Sequence, residues 1–204
     1  MSMTRWYTEK KKEHFYREAK RVGYRARSAF KLQQIQQRFH VIPKGGLILD
    51  LGAAPGGWSQ VAKELVGEHG MVIGIDLSSI SPLEGVQFLR GDLTKPETID
   101  QMKELLHGRD ADVVLSDMAP DISGNYSVDQ ARSAWLCECA LTVAEQFLRP
   151  GGHFICKIFE GQDTKAFVDA VKKNFRAVKT FSPEASRKSS SEVYIIAKLF
   201  QKHS

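Results

Sequence analysis

The chain has 204 residues and little cysteine: Cys137, Cys139 and Cys156 are the only three. An odd number of cysteines with no secretory signal argues against a disulfide framework and points to a reducing, cytoplasmic setting. No apolar run approaches the length needed to span a membrane. The six histidines are scattered without ligand spacing, and Cys137 and Cys139, inside a predicted helix, have no partner pair, so no metal site is expected. Internal repeats, low-complexity stretches and an obvious linker are also missing. That leaves one domain of ordinary apolar content, long enough for a sizeable core. The glycines of the most distinctive loop, Gly52, Gly56 and Gly57, do not form G-x-G-x-x-G, so a dinucleotide site is disfavoured.

Charge is present but unevenly placed. Residues 1–44 hold twelve Lys/Arg against three acids, while the rest holds 17 basic and 21 acidic residues, so the net charge of +5 belongs to an N-terminal arm. The arm is interleaved with Trp6, Tyr7, Phe15, Tyr16, Tyr24 and Phe30. Basic residues alternating with aromatics suit a polyanion whose bases can stack, and Arg17, Lys20, Arg21, Tyr24, Arg25 and Arg27 are the candidate RNA contacts. A solvated charged tail is the plainer alternative.

Strand-type runs recur at Leu47–Leu51, Met71–Ile75, Val86–Leu89, Asp112–Ser116 and His153–Ile158. Helical segments separate them near Gln60–Val66, Glu97–Leu106, Asp129–Leu148 and Thr164–Asn174, and another helix covers Ser28–Phe39. Such alternation predicts a doubly wound parallel sheet with helices on both faces. Two further strands, Ala177–Phe181 and Glu192–Phe200, have no helix between them and predict a closing hairpin. The expected fold is therefore α/β and Rossmann-like, a mostly parallel seven-stranded sheet with one antiparallel edge strand. Residues 1–44 form the arm and first helix, packed on the core formed by residues 45–204, and no separate C-terminal RNA-binding domain is expected.

In such a sheet chemistry collects at the carboxyl ends of the strands. The first run, Leu47-Ile48-Leu49-Asp50-Leu51, passes into the small-residue turn Gly52-Ala53-Ala54-Pro55-Gly56-Gly57 and then a helix. A turn of this kind lets backbone approach a ligand closely and presents unpaired helix N–H groups to it. Asp76 and Asp92 close the second and third strands, where carboxylates can accept ribose hydroxyls and an adenine amino group; a helix cap or turn is the alternative role for each. Asp117 follows the fourth strand in Asp-Met-Ala-Pro, unlike the Asn/Asp-Pro-Pro-Tyr/Phe of enzymes that methylate exocyclic amines. Lys157 is a charge inside the apolar run Phe154–Phe159 and is costly there unless paired or turned to solvent at an edge. Lys31 and Glu192 complete a set whose charges offset one another, in which a lysine can take a proton from a poor acid such as a ribose hydroxyl. The segment from Asp121 to Val128, polar and with a central Gly124, reads as a candidate lid.

Three motifs together, Asp50-Leu51-Gly52-Ala53-Ala54-Pro55-Gly56-Gly57-Trp58-Ser59-Gln60, Ser116-Asp117-Met118-Ala119-Pro120 and Ser28-Ala29-Phe30-Lys31-Leu32, resemble the FtsJ/RrmJ (RlmE) class of S-adenosylmethionine (SAM)-dependent RNA 2′-O-ribose methyltransferases. The similarity runs from about Tyr16 to Phe200. It implies a Lys31, Asp117, Lys157, Glu192 tetrad with Lys157 as proton acceptor, and SAM contacts at Gly56, Trp58, Asp76, Asp92 and Asp117, to which the loop reading adds Asp50 and Gly52. It implies no metal and an RNA partner; a monomer is expected separately, since no long apolar stripe is left without a place in the core. The Gly-Ala-Ala-Pro-Gly-Gly loop resembles the large-subunit ribosomal RNA branch, whose target is a uridine. The tRNA anticodon-loop branch carries Cys and Ser at the positions of Gly52 and Gly57, yet Gly23-Tyr24-Arg25-Ala26-Arg27-Ser28-Ala29-Phe30 looks much like that branch. Two other classes stay in view: a non-catalytic SAM-binding RNA assembly factor, which a missing tetrad member would favour, and a small-molecule O-methyltransferase, which the basic arm disfavours.

Overall fold

Every residue of the first strand is buried, and alternate side chains enter different cores: Leu47, Leu49 and Leu51 on one side, Ile48 on the other. A strand apolar on both faces has to be covered by helices on both, which places it in the middle of a parallel sheet. In this computed structural model, residues 14–186 and 191–202 are described, so the arm residues Trp6, Tyr7 and Lys10–Lys12 lie outside the described residues. Residues 14–22 are helical (α1). There follow α2 (Ala29–Phe39), β1 (Leu47–Leu51), α3 (Gly57–Val66), β2 (Met71–Asp76), β3 (Val86–Arg90), α4 (Pro96–Leu106), β4 (Ala111–Ser116), α5 (Tyr126–Phe147), β5 (Leu148–Phe159), α6 (Thr164–Asn174), β6 (Phe175–Phe181) and β7 (Glu192–Phe200).

The seven strands run in the order β3-β2-β1-β4-β5-β7-β6. Pairing is parallel from β3 through β5, and β7 is antiparallel to both β5 and β6. The closing hairpin stands at the sheet edge as expected; within it β7, the reversed strand, lies one place in and β6 is outermost. Helices α2 and α3 cover one face through Leu32, Ile35, Val61 and Ala62, and α4, α5 and α6 cover the other through Met102, Ala140, Phe167 and Val171.

Several boundaries differ from the sequence pattern, among them the starts of α3 at Gly57 and of β6 at Phe175, and two of the others have a local cause. Helix α5 starts at Tyr126, three residues early, because the Asn125 side chain accepts a hydrogen bond from the Val128 amide and caps the first turn. Strand β5 starts at Leu148, where the pattern continued the helix, because the fully buried Leu148 pairs with Ala111 ahead of a register shift.

Candidate active site

Strand order changes direction between β1 and β4, so the loops leaving their carboxyl ends part there and open a crevice. The cleft at this point measures about 530 Å³ and is lined by Gly52, Ala54, Asp76, Asp92, Asp117 and Met118, with Leu77, Leu93 and Trp135 as apolar walls. That volume falls within the roughly 300–1,000 Å³ of small-ligand sites. Gly52, at φ +71°, donates its amide to the Ile75 carbonyl at 2.9 Å, and its missing side chain leaves the space that Met118 fills. Asp76 accepts the Ala54 amide at 3.0 Å and the Ser78 amide at 2.7 Å, which ties the glycine turn to the loop after β2. Asp92 accepts the Thr94 amide and hydroxyl, and these bonds hold its carboxyl below the usual range. It is at once a turn former and part of the cleft wall.

Three residues expected at the cofactor do not line this cleft. Trp58 is buried with its indole in the core between α2 and the sheet, donating Nε1–H to the Ser28 carbonyl at 2.9 Å, so its ring is packed away from the cleft. Gly56 meets Arg25 instead: a Cβ there would lie 3.0 Å from a guanidinium nitrogen. Asp50 is wholly buried behind the turn, where it accepts the Ser59 hydroxyl at 2.6 Å through Oδ2, while Oδ1 has no hydrogen-bond partner among the described residues. Burial pushes the Asp50 carboxyl up to about 7. Between about pH 4, where an unfolded Asp titrates, and about 7, the folded chain holds a proton that the unfolded chain has lost. Stability therefore falls as pH rises through that window and levels above it. Asp50→Asn should remove a contribution on the order of 4 kcal/mol from that slope. Urea melts of both proteins from pH 4 to 8 check this, and superimposable pH profiles would contradict it.

The tetrad residues come together as two ion pairs bridged by a residue that sequence reading missed. Lys157, 5% exposed, places Nζ 2.6 Å from the Asp117 carbonyl oxygen and 3.0 Å from Asp117 Oδ1. Lys31, also 5% exposed, places Nζ 2.9 Å from Glu192 Oε2. Tyr194 joins them: its hydroxyl donates to Asp117 Oδ1 at 2.7 Å, and Lys31 Nζ lies 5.6 Å from its ring centre. The geometry follows from strand periodicity. Ile155 and Lys157 share a face of β5; Tyr194 pairs with Lys157 and Glu192 with Phe159 across the antiparallel ladder. The signal available in sequence was the spacing, since Tyr194 lies two residues beyond Glu192 and thus on its face. Burial pushes the Tyr194 phenol well above its usual range, and Asp117 adds to this, so the group stays a neutral donor. Tyr194→Phe should lower turnover about tenfold by loosening Asp117, with a smaller loss of ligand affinity because Asp76 and Asp92 still line the cleft. Separate kcat and binding measurements check this; unaltered kcat would count against the bridge.

The candidate lid is held at several points. Ser123 donates its amide and hydroxyl to Asp129 Oδ1, and Tyr126 donates its hydroxyl to the Glu160 carbonyl at 3.1 Å.

The arm divides into two uses. Tyr24 gives its hydroxyl to Glu64 at 2.7 Å and sets its ring edge-on to Phe30, which also contacts Phe15. Burial and the Glu64 carboxylate push the Tyr24 phenol up to about 12. Arg25 spends its guanidinium on three backbone carbonyls of the core. Tyr24 and Arg25, expected to touch RNA, are thus bonded to the core. Arg17, Lys20 and Arg21 are exposed, with Lys20 over the half-exposed Tyr16 ring and Arg21 paired to Glu18, while Arg27 is half-buried.

Comparison with known proteins supplies the family context. A family model described as FtsJ-like methyltransferase matches residues 24–200. A protein of Methanothrix thermoacetophila named ribosomal RNA large subunit methyltransferase E is 52% identical over 187 residues, covering 92% of this chain and 72% of that one. Its namesake in Halorubrum lacusprofundi is 49% identical, covering 92% and 70%. Among solved structures, a Plasmodium falciparum chain described provisionally as a ribosomal RNA methyltransferase superposes with a TM-score of 0.79 at 31% identity, covering 88% of this chain and 100% of that one.

Proposed function

The chain belongs to the FtsJ-like methyltransferase family, and from that premise we propose that it moves a methyl group from SAM to the 2′-hydroxyl of a ribose, a uridine of large-subunit ribosomal RNA. The names of the relatives support that RNA as substrate. The observation that carries the reaction is the environment of Lys157. A neutral amine has two N–H bonds and one lone pair. In its ion pair Lys157 is an ammonium with no lone pair. Once it has released one proton to solvent, the two Asp117 oxygens within 3.0 Å of Nζ can take both remaining N–H bonds and leave the lone pair for the ribose proton.

SAM fits the residues present. Three carboxylates, Asp76, Asp92 and Asp117, stand in one cleft of suitable volume and suit a ligand carrying positive charge and hydroxyl and amino donors. SAM, when bound, supplies a methyl group on a positively charged sulfur. Asp76 would hold the ribose of the cofactor and Asp92 its adenine amino group, with Leu77 and Leu93 against the ring. The chain's remaining tasks are orientation and proton removal, the two effects that dominate an in-line displacement of this kind. Asp117 fixes the Lys157 amine, Tyr194 fixes Asp117, and the Lys31–Glu192 pair closes the far side of the Tyr194 ring. Once Lys157 takes the proton, the Asp117 carboxylate stabilises the ammonium. The exposed Arg17, Lys20, Arg21 and Tyr16 then serve RNA capture through phosphates and stacking.

Incubation with methyl-labelled SAM should place label in unmodified large-subunit RNA and not in a tRNA transcript. Label in the tRNA alone would move the protein to the anticodon-loop branch, and SAM binding with no transfer to either RNA would favour an assembly factor.

A further inference from the structure

Segment 23–28 is stitched to the cofactor side of the core. The Arg25 amide donates to Gln60 Oε1 at 2.8 Å, Gln60 Nε2 donates to the Gly23 carbonyl at 3.0 Å, and Trp58 holds the Ser28 carbonyl. This brings the Arg25 guanidinium to the outer side of two loops whose inner sides line the SAM cleft. One nitrogen donates to Pro55 O at 3.3 Å and Ser81 O at 2.6 Å, and the other to Pro82 O at 2.6 Å. Pro55 is the neighbour of the cleft residue Ala54, and Ser81 follows the cleft residues Leu77 and Ser78 by a few positions. Arg25 itself does not line the cleft. Gly56 makes the approach possible, since it sits at φ +109° and any Cβ would press on the Arg25 side chain at 3.0–3.1 Å. A planar guanidinium is suited to spanning two loops, because its donors are fixed in one fork; a lysine offers a single point of charge.

We propose that Arg25 is a positioning residue for SAM: it clamps the glycine turn to the loop after β2 from outside and so sets the spacing of the walls between which the cofactor binds. The Gly52 and Ala53 amides bind the Ile75 carbonyl at the start of the turn, but further along it the Ala54 amide is held by Asp76, a carboxylate that the bound cofactor would also engage. Arg25 therefore keeps the turn and loop in register when Asp76 turns to the ligand. This rests on the reading of the cleft as a SAM site, and it gives a residue of the basic arm a role in cofactor affinity in place of RNA contact.

The test is calorimetric titration of the full chain with SAM, followed by steady-state kinetics. Arg25→Ala should weaken SAM binding at least tenfold and raise the KM for SAM by a similar factor, while kcat at saturating SAM and the KM for RNA stay within about threefold. Arg25→Lys, which reaches one loop but not both, should fall between Arg25→Ala and the wild type. Arg25→Gln keeps the contact with Gly56 and one donor, so it serves if the alanine variant fails to fold, and it should weaken SAM severalfold. SAM affinity within twofold of wild type in a folded variant overturns the inference alone. A loss confined to the KM for RNA also overturns it and returns Arg25 to the RNA-contacting arm. A wild-type chain that binds no SAM overturns the SAM-site reading itself and the inference with it.

Discussion

Lys157→Met should lower the single-turnover rate of methyl transfer on the order of a thousandfold, with SAM affinity held within about threefold. Methionine matches the length and apolar stem of lysine but offers no lone pair of comparable basicity. The side chain it replaces is 5% exposed and held by two Asp117 oxygens, so a water molecule has little room to take over the proton. Asp117 would still be fixed by Tyr194, and the cleft walls formed by Gly52, Asp76 and Asp92 lie on other strands, which is why binding should survive. Stopped reactions at saturating SAM and RNA measure the rate, and calorimetry the affinity. A variant retaining a tenth of wild-type rate would remove Lys157 from proton transfer.

The second large effect concerns stability. Asp117→Ala should cost roughly 2–4 kcal/mol, somewhat below the 3–5 kcal/mol of a wholly dry pair because the Asp117 side chain is 16% exposed. It leaves the buried Lys157 ammonium without its carboxylate and the Tyr194 hydroxyl without its acceptor. Adding Lys157→Met to Asp117→Ala should then recover about half of that loss, since the stranded charge is gone. Denaturant melts of the wild type, both single variants and the double variant form the cycle. Additive effects would mean that the two side chains do not depend on each other.

Much of this arrangement was legible in the sequence because periodicity and strand ends are local signals. The runs Leu47–Leu51 and Glu192–Phe200 match strands β1 and β7, and helix α6 matches Thr164–Asn174. Asp76, Asp92 and Asp117 could be placed at one crevice because a doubly wound sheet gathers the carboxyl ends of its strands. The charge of Lys157 inside an apolar run called for either a partner or an edge turned to solvent, and the structure pairs it with Asp117. What could not be read was the direction a side chain takes when two segments far apart in sequence compete for it. Trp58 and Arg25 show this. The resemblance puts Trp58 at the cofactor, and an arginine in a basic arm suggests RNA, yet α2 offers Trp58 a core and the Ser28 carbonyl, and the two loops offer Arg25 three acceptors. Tyr194 was hidden for a related reason. A tyrosine in a β-rich run looks like packing until the register of β5 against β7 puts it opposite Lys157.

The most direct measurement is the position of the new methyl group. RNA modified by the protein, digested to nucleosides and fragmented in a mass spectrometer, should yield the added 14 mass units (one methylene, by the elementary chemistry of methylation) on the ribose fragment with an unmodified base. The added mass on the base fragment would contradict the assignment of Lys157 as acceptor of a ribose proton, however well the cleft binds SAM.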